Sequence, residues 1–236
     1  MARDSVTERV YKGGGVVILQ YPHLDLLYYK EYNFNINNNL AKITSKLERK
    51  MTSHKLKFLE KAFLGREIDF DNSDEIIYRC VTLAYRDMLS AGRYYLSGNM
   101  EERCQSFIKI LKAHNYIFSR EIIDDTLPIF GENENIGKGN RYVTRYGLSQ
   151  KLVNMTYKYL YIFSEHISFT IDFSHCDCPL DSIILKNIKS ADTVWSKLTK
   201  EKYIVYQNEI YSLLNEEVID DELIKIGNIA YDFINW

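Results

Sequence analysis

The chain has 236 residues, 46% of them apolar, and no low-complexity stretch, so it can bury a full core and is not governed by disorder. Its formal net charge of −2 excludes a globally basic nucleic-acid binder. No apolar run approaches the roughly eighteen residues of a membrane span, and the amino terminus lacks the basic-then-apolar profile of a secretory signal, so a cytoplasmic protein with no membrane partner is expected.

In chain order, Gly13-Gly-Gly15 lacks both a following helix pattern and the Gly-Lys-Ser/Thr ending of a phosphate loop, and reads as a flexible lead-in. Gly15-Val-Val-Ile-Leu-Gln-Tyr21 predicts a small, peripheral β element. Between Leu40 and Phe63 the apolar positions recur at helical spacing, with Lys and Arg on the other face and Gly65 placed to end the helix. Ser73 is positioned to cap a helix carrying Ile77, Cys80, Val81, Ala84 and Met88. Asn99 is positioned to cap another carrying Cys104, Phe107, Ile108 and Leu111.

Gly137-Lys-Gly-Asn-Arg141 has the composition of an anion-contacting turn, because glycines let backbone amides approach a phosphate and Lys138 and Arg141 add charge. From Asn135 to Ser164 there is no Asp or Glu, while Lys138, Arg141, Arg145, Lys151 and Lys158 all fall inside. A polyanion therefore has one favourable face on an otherwise slightly acidic body. Within this stretch Arg145-Tyr-Gly-Leu-Ser-Gln-Lys151 reads as a basic turn, and Ser149 as the cap of a helix with Leu152, Met155, Tyr159 and Phe163 inward.

Pro179 precedes a helix containing Ile183 and Ile184, which places Asp181 in its first turn. Asp192 or Thr193 opens a short helix with Trp195 and Leu198. Tyr203, Tyr206, Ile210, Leu213 and Leu214 mark another, before a final helix ending at Trp236. The fold class is all-α, organised as one domain over 1–236 or as two lobes of about 1–130 and 131–236 with a cleft between them. The four cysteines are too few and too scattered for a disulfide framework. Cys176, Cys178 and His175 lack the second matching pair of a zinc site, so no metal is expected.

Tyr146-Gly-Leu-Ser-Gln-Lys151, followed by an apolar helix and then by Pro179-Leu-Asp181 opening the next, resembles the helix-hairpin-helix DNA glycosylase superfamily, most nearly its archaeal 8-oxoguanine branch. The matching stretch covers about residues 141 to 188. The resemblance implies a helical glycosylase fold, Lys151 as the lyase lysine and Asp181 as the essential aspartate. It also implies a hairpin whose backbone holds a DNA phosphate. Ser149 replaces the second hairpin glycine, the Leu-Pro before the hairpin is absent, and no four-cysteine cluster loop is present, so no cofactor is implied.

The chemistry of these residue types agrees with those roles. Cleaving an N-glycosidic bond builds positive charge on the deoxyribose, which a fixed carboxylate stabilises, and a lysine amine can attack the anomeric carbon to form a Schiff base. The expectation is a DNA glycosylase, with or without lyase activity, that flips and excises a damaged or modified base in repair or in defence against modified phage DNA. Lys151 and Asp181 are its catalytic residues. Lys138, Arg141, Arg145, Gly147, Ser149 and Gln150 are its DNA contacts. Two other readings are a non-enzymatic helical module that binds nucleic acid through the acid-free face, and a protein-interaction domain without DNA affinity.

Overall fold

The computed structural model describes residues 64–65, 69–92, 96, 99–138, 141–216 and 225–235. The strand expected at Gly15–Tyr21 and the basic helix from Leu40 lie outside the described residues, as does Trp236. What is described belongs to one compact unit, Phe58–Trp236.

Among the described residues the architecture is helical: α1 (Ser73–Gly92), α2 (Met100–Ala113), α3 (Glu121–Thr126), α4 (Arg145–Ile162), α5 (Ile184–Asn187), α6 (Lys200–Glu216) and α7 (Ile229–Asn235). Between α3 and α4 a two-stranded antiparallel hairpin, β1 (Asn135–Lys138) and β2 (Arg141–Thr144), pairs Asn135 with Thr144 and Lys138 with Arg141. Gly137, Lys138 and Arg141, read as parts of a phosphate-type turn, are therefore strand residues. Gly137 in β1 has φ 132, which a β-carbon would oppose.

Two helix starts follow from side-chain caps, one at the expected residue. Asn99 accepts from the Glu101 amide at 2.9 Å, as its position predicted. At α1 the cap is Asn72, whose side chain accepts from the Glu75 amide, while the Ser73 hydroxyl bonds to Ser168.

α4 differs most from the sequence reading. It begins at Arg145, directly after β2, so the Arg145–Lys151 run forms its first turns and no separate turn precedes it. Thr144, in extended conformation, is the cap: its hydroxyl accepts from the Gly147 amide at 3.0 Å and donates to the Leu198 carbonyl at 2.6 Å. The capping oxygen lies ahead of Arg145, so the helix propagates through Gly147 and Ser149 instead of starting after them.

α4 is buried almost all round, from Tyr146 to Lys158 and at Leu160, and forms the axis of the unit. α1 packs along it, with Ile76, Ile77, Val81, Ala84 and Tyr85 in the core and the Tyr159 hydroxyl donating to Asp87 at 2.5 Å. Residues on both sides of position 130 share one hydrophobic cluster, from Leu64 to Tyr231. Each fully buried Leu, Ile or Phe in it contributes roughly 1.5–3 kcal/mol. Among the described residues no helix is long and apolar enough to cross a membrane.

Candidate active site

A helix buried almost all round has little solvent face for its polar residues. Gln150, Lys151, Asn154 and Lys158 share one stripe of α4 and are buried, as are Ser149 and Thr156 elsewhere on the helix. The stripe faces the chain from Cys176 to Asp181, a segment that no strand among the described residues pairs.

Amide side chains do the work of that missing strand. Gln150 donates to the Leu180 carbonyl at 3.1 Å and accepts from the Leu180 amide at 3.3 Å. From α6, Gln207 accepts from the Cys178 amide at 2.9 Å and donates to the Cys178 carbonyl at 2.7 Å. Asn154 donates to the same carbonyl at 3.3 Å and to the Tyr203 hydroxyl at 2.8 Å, which in turn donates to Asp177. Arg120 holds Asp177 with two bonds, of 2.7 and 3.0 Å. Pro179 has no N–H, so the polar backbone of the buried turn from Cys178 to Leu180 is largely satisfied.

This anchoring fixes Asp181. Its Oδ1 accepts from the Ile183 amide at 2.8 Å and the Ile184 amide at 3.0 Å; α5 is a single turn that begins only at Ile184, so Asp181 and Ile183 stand ahead of the helix they were expected to lie in. Its Oδ2 lies 3.1 Å from Lys151 Nζ, joining residues thirty positions apart, with the two side chains 16% and 6% exposed. Lys151 Nζ also stands 5.7 Å from the centre of the Trp195 ring. Burial pushes the Asp181 carboxyl up, but the Lys151 ammonium and the two backbone amides together outweigh it and hold the group below its usual value. The carboxylate is thus ionised at neutral pH, and it is the partly accessible member of the pair.

Two turns further along α4, Lys158 forms a second ion pair, with Asp232 of α7, and lies 5.6 Å from the Phe233 ring centre. Asp232 is 1% exposed, and burial dominates, raising its carboxyl above the usual range despite Lys158. The charges of Asp181 and Lys151 are also felt there, so both pairs belong to one electrostatic cluster around buried Cys178. The sequence reading named Lys158 among the cations of the acid-free stretch but did not single out Asp232. Its one signal was an acid inside an otherwise apolar terminal helix, Ile229-Ala-Tyr-Asp-Phe-Ile234.

The expected DNA contacts separate into three groups. Lys138 and Arg141 pair at the end of the ribbon, and their side chains lie outside the described residues. Arg145 is partly buried and donates to the Gly131 carbonyl at 2.8 Å. Gly147, Ser149 and Gln150 are interior: a β-carbon at Gly147 would stand 2.6 Å from the Trp195 carbonyl oxygen, and its amide is already used by Thr144. The reason is the helical start at Arg145, which turns a surface loop into a core helix.

Cys176 and Cys178 are buried thiols pushed well up by that burial, and among the described residues no cluster of three or more ligating side chains is suited to a metal. Comparisons with protein-family models, curated proteins and solved structures find no match to this chain.

Proposed function

We propose that the chain is a DNA N-glycosylase whose reaction centre is the Lys151–Asp181 pair. The observation that carries this reading is a fixed, ionised carboxylate beside a lysine amine, converging from positions thirty residues apart at the edge of a buried polar stripe.

As the bond from the sugar C1′ to the base nitrogen breaks, its electron pair leaves with the base and positive charge develops on the deoxyribose. Asp181, held by two amides, needs no reorganisation to stabilise that charge. The sugar cation then takes the place of the Lys151 ammonium as partner of the carboxylate. The departing base takes a proton from the Lys151 ammonium, the freed amine bonds to C1′, and the C1′–O4′ bond breaks with a nitrogen proton passing to O4′, which gives a protonated Schiff base; loss of a C2′ proton then expels the 3′ phosphate. Contact with the phosphate backbone falls to the ribbon end at Lys138 and Arg141, because Gly147, Ser149 and Gln150 are interior. Excision requires the base to leave the stack, and the role suits a damaged or modified base in repair or in defence against modified phage DNA.

A non-enzymatic helical nucleic-acid-binding module is the second reading, favoured by the near-closure of the pair, with Lys151 only 6% exposed. One experiment separates them. The protein is incubated with duplexes carrying 8-oxoguanine, uracil, alkylated bases or glucosylated hydroxymethylated bases, and free base and abasic sites are measured with borohydride present. Base release with an adduct that vanishes in Lys151→Ala supports a bifunctional glycosylase. Release without an adduct keeps Asp181 and makes Lys151 a positioning residue. Absence of release from every duplex, with salt-dependent binding intact, overturns the enzyme reading in favour of the module.

A further inference from the structure

A cavity of about 370 Å³ opens on the other flank of the Cys176–Asp181 segment, against α6 and the start of α7. Its walls include Arg120, Asp177, Asn208, Tyr211, Asn215 and Asn228. Gly227, at φ 60, keeps the cavity's shape: a β-carbon there would stand 2.7 Å from the carbonyl oxygens of Ser174 and Cys176, so only glycine lets α7 begin this close to the loop. The Asn228 amide completes the junction by donating to the Cys176 carbonyl at 2.8 Å.

The lining chemistry selects a ligand class. Arg120 and Asp177 neutralise each other through their two hydrogen bonds, so neither offers a free charge to a phosphate or an ammonium, and His175 is the other basic side chain of the lining. Its remaining polar groups include the carboxamides of Asn208 and Asn215, both solvent-exposed and each offering a donor and an acceptor side by side. Tyr211 adds an aromatic face that is 63% exposed, the most exposed of the large apolar side chains described. A paired donor and acceptor beside an open aromatic ring complements an uncharged, planar heterocycle with hydrogen bonds along its edge. The volume lies at the small end of ligand pockets.

We infer that this cavity binds a nucleobase, stacked on Tyr211 and read along its edge by Asn208 and Asn215. The base is presented either as a free nucleoside or as one unit of a single strand. The site is separate from the Lys151–Asp181 pair, and the inference stands whether or not that pair is catalytic.

The test is ligand-observed NMR on the full chain with deoxyadenosine, deoxyguanosine, deoxycytidine and thymidine, using deoxyribose as control, at up to about 5 mM, the range of weak binding. At least one nucleoside should bind and deoxyribose should not. Tyr211→Ala, which removes an exposed ring and leaves the core intact, should weaken binding at least about fivefold, and Lys151→Met should leave it unchanged. A single-stranded trinucleotide that competes with the nucleoside identifies a strand as the source, and one that does not identifies the free nucleoside. The inference is overturned if no nucleoside binds, if deoxyribose binds equally well, or if Tyr211→Ala binds as wild type does. Loss of binding confined to Lys151→Met would also overturn it, by locating the ligand at the ion pair.

Discussion

Asp181→Asn tests both the energetic and the chemical role of the pair, because the substitution keeps shape and removes charge. Asn still accepts from the Ile183 and Ile184 amides through its carbonyl oxygen, so the start of α5 survives. Its amide, however, presents a donor to the Lys151 ammonium 3.1 Å away, leaving a cation that is 6% exposed without a counter-charge. Removing one partner of a fully buried pair costs about 3–5 kcal/mol. The 16% exposure of Asp181 moves the expectation to about 2–4 kcal/mol, well inside the roughly 5–15 kcal/mol of a folded domain. The variant therefore stays folded, and urea unfolding at pH 7 reads the loss. Lys151→Met/Asp181→Asn should be no less stable than Asp181→Asn alone, because the uncompensated cation is gone; losses that simply add within about 0.5 kcal/mol would refute the coupling. Base release should fall at least about a hundredfold, the scale of losing one preorganised electrostatic contact. Release at the wild-type rate would remove Asp181 from the mechanism.

pH provides an independent reading of the same group. The Asp181 carboxyl lies below its usual value when folded, so its stabilisation is complete above about pH 4 and is lost as pH falls through the lower folded value. The stability gap between wild type and Asp181→Asn should thus be flat from about pH 5 to 8 and close in acid, measured by urea titration at each pH. Gly147→Ala should destabilise despite the better helix propensity of Ala, since its β-carbon meets backbone at Trp195 and Ser196; a loss of about 1–3 kcal/mol should lower the melting temperature by several degrees. Thr144→Val, which strips the α4 cap and the donor to Leu198, should cost about 1–2 kcal/mol by urea midpoint, and a midpoint shift near zero would deny the cap its role. Arg120→Met leaves the 5%-exposed Asp177 with the Tyr203 hydroxyl as its described partner, at about 2–3 kcal/mol, below the fully buried range because Arg120 is 39% exposed.

Helices with a one-sided apolar pattern were legible in the sequence. Asn99 with Cys104, Phe107, Ile108 and Leu111 carries both the cap and the periodicity, and the structure places all four side chains in the core. α4 was found but misplaced. Its start signal is Thr144, a residue that also suits a strand, and the glycine two positions into the helix resembles a turn until the Trp195 backbone is seen packing on it. The β-ribbon escaped because its strands are four residues each, too short to show alternation.

The candidate site divides along the same line between local and tertiary information. A lysine early in one helix and an aspartate just ahead of the next are local features, legible in the sequence. The amides that hold the site are not, because Gln150, Asn154 and Gln207 have the composition of a solvated helix face. Their burial follows only from the path of the Cys178–Leu180 backbone between α4 and α6. That backbone runs unpaired between helices and must find donors and acceptors in side chains, so polar residues that cost stability in an ordinary core are here required by it. The same bonds, from Gln150 to Leu180 and from Gln207 to Cys178, fix the backbone that carries Asp181 to Lys151.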